Sequence, residues 1–250
     1  MTESQEPTAR KRLSGGFWRR ALAALIDWIL VGALVSTVGA VAYGQTGGQV
    51  RVQQAVLMTT ACAPTRMVPK GLELPAGFRI DSAVLCTSRF LGREVNRFVK
   101  LSQVQQSGNV VTTQWRAGAV DVEGRFLPRV FFADSLTGLL LLVGLTLSEG
   151  LVGTSLGKAA TGLRVVDART GESTLRGALV RNLVVYGIWA IFNLVSILNV
   201  LGLLTLGLGD ASLVASIMFA LAVLAVFAAM AFQRPDPFYD RWAGVQVRRR

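Results

Sequence analysis

Four charged residues stand inside or at the rim of long apolar runs: Arg20 and Asp27 in the first, Glu149 at the end of the second, and Arg181 at the start of the third. A carboxylate in hydrocarbon costs at least ~2.5–3.5 kcal/mol, so each acid asks for a partner, a water-filled cavity or a shallow depth. Arg20, Ala23 and Asp27 recur at helical spacing, which puts the arginine and the aspartate on one face about 10 Å apart along the axis. That is too far for a salt bridge, but the small residue between them lets another helix approach. Arg181 belongs near the same membrane face, and the expected arrangement is an Asp27–Arg181 pair with Glu149 nearby. Two chemistries stay open for Arg20, Asp27, Glu149 and Arg181: a tether between helices, or a carboxylate that titrates and carries a proton or a cation.

Other chemistries find little support. There is no histidine, which removes the usual imidazole base and the commonest metal ligand, and two cysteines are too few for a structural zinc site. The stretch Gly153-Thr154-Ser155-Leu156-Gly157-Lys158 has the flavour of a phosphate loop but fails its pattern. Three residues rather than four separate its glycines, and Ala159 follows the lysine. No catalytic residue, no metal site and no cofactor are expected, and the chain is read as not an enzyme.

The elements that must position these charges follow from composition. The chain has 250 residues, 52% of them hydrophobic, and a mean hydropathy of +0.48, which is too apolar for an ordinary soluble domain. A formal net charge of +11 could suggest nucleic acid, but five Lys/Arg each lie at 10–20, 158–181 and 234–250 and the remaining eleven at 51–129, each group flanking or connecting apolar runs. They are read as topology signals and contacts with the bilayer's anionic lipid headgroups, with no nucleic-acid role.

In chain order, residues 1–16 are expected to be a disordered cytoplasmic tail and 17–43 a first transmembrane helix, retained rather than cleaved after Ala42. Residues 44–129 carry charges throughout, with short β-forming stretches near Val50, Val84, Val110 and Val120, and a Glu123-Gly124 turn. They are expected to form a small β-rich extracytoplasmic domain with a helix near 90–102. Placed outside, Cys62 and Cys86 form a candidate disulfide; two buried free thiols are the alternative. A second span is expected at 130–152, where only fourteen uncharged residues separate Asp134 from Glu149, so one of these acids must meet the membrane edge. A net-basic cytoplasmic loop at 153–179 follows, then spans at 180–201 and 211–232, and a cytoplasmic tail at 233–250. The expected fold class is thus an α-helical integral membrane protein with four transmembrane helices and the β-rich domain inserted between the first two.

Several segments together resemble the RDD family of small bacterial multi-pass membrane proteins. The pattern Arg20-x-x-Ala23-x-x-Ile26-Asp27, the loop from Gly153 to Lys158 continued by Gly162-Leu163-Arg164, Arg181, and Asp240-x-x-Ala243-Gly244 are similar to that family's motifs. The resemblance covers residues 17–43, 130–198 and 238–247, so an RDD-like region runs from 17 to 247 with the outer domain inserted. It marks Gly157, Lys158, Gly162, Arg164, Asp240 and Gly244 as motif residues. Two positions depart from it: Tyr239 stands where a histidine is common and Val245 where a threonine is. Four spans with the short positive clusters on one side put both termini in the cytoplasm, and the resemblance implies a bacterial plasma membrane location and a structural or accessory role, with cation/proton exchange proposed for some members. The β-branched segments Leu163–Val166 and Ala243–Val247 are further expected to pair as strands and hold Asp240 near Lys158 or Arg164. The function read from all this is a non-enzymatic membrane module whose outer domain contacts an envelope protein or ligand, with self-association into a homo-oligomer as a further partner reading; the alternative is a cation/proton transporter using Asp27 and Glu149.

Overall fold

A computed structural model describes residues 15–108, 110–203, 220–221, 224–226, 228, 231–232 and 237–249. Among these, three helices are long and apolar enough to cross a membrane: α1 (Phe17–Gln45), the segment Ala133–Leu151, and α4 (Leu175–Val200). This corrects the expectation of four transmembrane helices. An uncharged run shows only that a span would fit, and the run at 211–232 lies largely outside the described residues. The fold class changes with it, because the described residues add three sheets to the helices, including one of four antiparallel strands.

The chain divides into two units, one of Met1–Val31 with Ser135–Arg250 and one of Gly32–Asp134. In the second unit β2 (Met58–Pro64), β3 (Ser82–Phe90), β4 (Arg93–Ser107) and β5 (Val110–Ala119) form an antiparallel meander in chain order. The helix expected near 90–102 is therefore a strand. Val95, Val99 and Leu101 are buried at even spacing, the period of a pleated strand. Val99, Leu101 and Val120 make a core covered by Leu72, Leu74 and Phe78. Cys62 and Cys86 stand directly opposite each other on β2 and β3 and are joined in a disulfide.

Beside this meander β1 (Val50–Arg51) pairs in parallel with β6 (Phe131–Phe132). Arg51 is fully buried and donates to Gly48 O at 2.6 Å, Asn96 Oδ1 at 2.9 Å, Val120 O at 2.8 Å and Arg97 O. Its guanidinium fork thus ties β1 to the turn before it, to β4 and to the residue after β5.

In the first unit α2 (Thr137–Leu151) packs antiparallel on α4. Gly138 faces Trp189 and Asn193, while at the other end Gly150 lies against Leu175. Small residues at both ends of the contact let the backbones close up. Between these helices come α3 (Leu156–Ala160) and β7 (Leu163–Asp167). Later in the chain, α5 (Phe238–Ala243) turns at Gly244, whose φ of +67° favours glycine, into β8 (Val245–Arg249). β7 and β8 pair antiparallel with Val165 opposite Val247, as expected from their β-branched residues. Their inward residues Leu163, Val165, Val245 and Val247 pack on Ala23 of α1.

Candidate functional site: a buried charge network

The first unit gathers six charges, three of each sign, and buries all of them: Arg20, Asp27, Glu149, Lys158, Arg181 and Asp240. Each acid stands where its element meets a neighbour. Glu149 lies in the last turn of α2, and Asp240 lies in the short helix α5; both are 0% exposed. Arg181 is near the start of α4, and Lys158 is in α3.

Arg181 is the centre of the arrangement. Its Nε donates to Asp240 Oδ1 at 2.7 Å and its Nη1 to Glu149 Oε2 at 2.8 Å. One rigid fork therefore ties α4 to both α2 and α5. The remaining oxygens are taken as well: Arg20 Nη1 donates to Asp240 Oδ2 at 2.5 Å, and Lys158 Nζ donates to Glu149 Oε1. Arg181 also lies 5.8 Å from the centre of the Tyr239 ring, so Tyr239 supplies an aromatic face to the central cation. Burial pushes the Tyr239 hydroxyl up to about 12. Burial also pulls the Lys158 ammonium below the usual lysine range, against the opposing pull of the Glu149 carboxylate.

Asp27 is held differently. Its Oδ2 accepts from the Ser155 hydroxyl at 2.6 Å and its Oδ1 from the Gly157 backbone N–H at 2.7 Å. The expected Asp27–Arg181 pair is not formed; Arg181 spends its fork on Glu149 and Asp240, and Asp27 reaches the turn at the start of α3 instead. Ser155 caps that turn, its hydroxyl also accepting from Lys158 N at 3.2 Å. A side chain at Gly157 would strike the Ala23 carbonyl, so α1 and the turn meet backbone to backbone.

The structure brings together Arg20, Glu149 and Arg181 in one ion-paired chain, adds Lys158 and Asp240 to it, and sets Asp27 beside it. Asp240 does not reach Arg164, and its two partners are Arg20 and Arg181 rather than Lys158. Of the remaining motif residues, Gly162 and Gly244 take positive φ values at the ends of β7 and β8, and Arg164 is on the exposed face of β7. Sequence reasoning missed Ser155 as the hydroxyl partner of Asp27. It also missed Asn182, which is fully buried and donates to Thr146 Oγ1 at 3.5 Å. The signal for Ser155 was its helix-capping position three residues before Lys158. Among the described residues no group of three or more metal-ligating side chains is found.

Chemically this arrangement binds its own charges. Three cations and three carboxylates compensate one another, and the carboxylate oxygens of Glu149, Asp240 and Asp27 all accept hydrogen bonds.

No curated protein and no solved structure matches the chain. The model of the RDD family matches residues 130–244. That stretch contains Glu149, Lys158, Arg181 and Asp240 but not Arg20 or Asp27 of α1. Residues 130–244 thus form an RDD-family region, and that region supplies four of the six charges in the buried network.

Proposed function

We propose that this is a non-enzymatic, multi-pass protein of the plasma membrane, whose charge network clamps its helices and whose Gly32–Asp134 unit offers a sheet to an envelope partner or ligand. The observation that carries the reading is the saturation of the network. A site that moves protons or cations needs a carboxylate ready to exchange its partner, whereas Glu149 and Asp240 each engage two cationic donors. The end bearing Arg20, Lys158, Arg181 and Arg241 faces the cytoplasm on this reading, following the positive-inside rule. The second unit then lies outside, where its disulfide is chemically at home.

The test is flux. Purified full-length protein in vesicles with an imposed pH gradient should show no cation-stimulated proton movement above that of empty vesicles. Flux that disappears in Asp27→Asn would overturn the proposal in favour of exchange. The partner-binding half is tested separately, by capturing envelope components on the full-length protein in nanodiscs and asking whether they are lost when the Gly32–Asp134 unit is replaced by a short linker.

A further inference from the structure

Three arginines outside the buried network converge on a cavity of about 590 Å³ at the start of α4. Arg169 comes from the turn after β7, Arg176 from the first turn of α4, and Arg241 from α5, and all three are exposed. Thr174 and Gly177 complete the mouth, and the one carboxylate in the lining, Asp167, is already turned to the Arg169 and Thr170 backbone N–H groups at 2.8 and 3.0 Å. No hydrogen bond or ion pair of the three guanidinium groups is found among the described residues. A cavity with three such cations facing one occupied acid is built for an anion.

Two further observations say what carries that anion. Trp242 stands in the cavity wall and is 73% exposed, as an indole at a membrane–water boundary would be. On α4, Arg176, Leu179, Val180 and Leu183 share one helical face by their spacing, and Leu179 and Leu183 are exposed. An apolar strip therefore leads away from the cavity along a candidate span.

We infer that the cavity between the β7–α4 turn and α5 binds the phosphate of an anionic lipid headgroup, with an acyl chain lying along Leu179 and Leu183. The guanidinium groups of Arg169, Arg176 and Arg241 supply forked donors that suit a phosphate. The first-turn N–H groups of α4 add to the positive field. A second basic cavity, of about 570 Å³, is lined by Arg164, Arg248 and Arg249 on the β7–β8 sheet. Its lining includes no residue of a candidate span, and it serves as the control for mere surface charge.

This inference rests on the membrane reading above, and the experiment separates the two. Full-length protein is reconstituted in nanodiscs of phosphatidylcholine, then lipid binding is followed by native mass spectrometry after adding phosphatidylglycerol. Failure of the protein to enter nanodiscs would overturn the membrane reading itself. If it enters, phosphatidylglycerol should bind in preference to phosphatidylcholine. The triple variant R169A/R176A/R241A should weaken this on the order of a hundredfold, from about 1 kcal/mol per basic residue, while R164A/R248A/R249A should leave it within about twofold. The single variant Arg176→Glu should weaken it as well, which guards against a folding defect in the triple. Equal losses in both triples would overturn the site. Glycerol phosphate or inorganic phosphate binding as tightly as the lipid would overturn the lipid as the source of the anion.

Discussion

Among single residues, the carboxylate of Glu149 carries the most. It sits fully buried between Lys158 and Arg181, so its removal leaves two cations out of water with one partner fewer each. Glu149→Ala should therefore destabilise the protein by about 3–5 kcal/mol, the usual cost of breaking a buried pair from one side. Thermal unfolding of the purified protein in detergent would register this, and an unchanged midpoint would show that the network is not clamping the helices. Asp167 offers a gentler probe. Its carboxyl is held below the usual carboxylate range by the Thr170 and Arg169 backbone N–H groups that close the turn after β7. A depressed carboxylate stabilises the fold above its unfolded value near 3.9 and ceases to do so as pH falls through the lower folded value. The amide resonances of Arg169 and Thr170 should accordingly stay fixed down to pH 4 and move only below it, and movement centred well above pH 4 would contradict the geometry. The charges in apolar runs were readable in the sequence because water-free neighbours make any charge conspicuous. Asp240 was less so: it lies in a polar, charged segment, and only a family motif marked it, since nothing local foretells that α5 will be buried.

Between elements, backbone proximity decides more than side-chain chemistry. The turn at Gly157 presses on α1 so closely that an added methyl group would meet the Ala23 carbonyl, a backbone atom that cannot rotate aside. Gly157→Ala should push α1 and α3 apart, weaken the Asp27 bond to the Gly157 N–H, and cost about 1–3 kcal/mol as overpacking does. A matched substitution at Gly171, where a glycine has open space but φ is +77°, should cost less, about 1 kcal/mol. The two unfolding midpoints, measured side by side, check the contrast. The pairing of β7 with β8 was legible because both segments are short and rich in β-branched residues. The strand at Arg93–Ser107 was not recognised, since its leading charged residues hid the period-two burial of Val95, Val99 and Leu101. The Asp27–Arg181 pair failed for a related reason. Helix-face geometry placed both residues near one another but could not foresee that a short turn, Ser155 to Gly157, would reach the aspartate first.

For the whole molecule, counting apolar runs gave four crossings, more than the three helices long and apolar enough to span among the described residues. What composition did carry was the separation of apolar helical segments from the charged stretch that became a four-stranded sheet. The proposed orientation makes a simple prediction. In intact cells or right-side-out vesicles, a single cysteine introduced at Trp115, which is exposed on β5, should react with a membrane-impermeant maleimide, while one at Arg169 should react only after the bilayer is opened. The reverse pattern would invert the topology and remove the rationale for an external disulfide.

The bond from Arg20 to Asp240 joins residues 220 positions apart. At a synthesis rate of 5–20 residues per second, the arginine is made on the order of ten seconds or more before the aspartate that neutralises it. Throughout that interval the proposed orientation has Arg20 without its Asp240 partner, a positive charge that the positive-inside rule would keep on the side of the bilayer where translation began. The interior clamp can lock only when α5 arrives, so on the proposed orientation the same guanidinium would serve first as an anchor during insertion and later as a bolt in the finished protein.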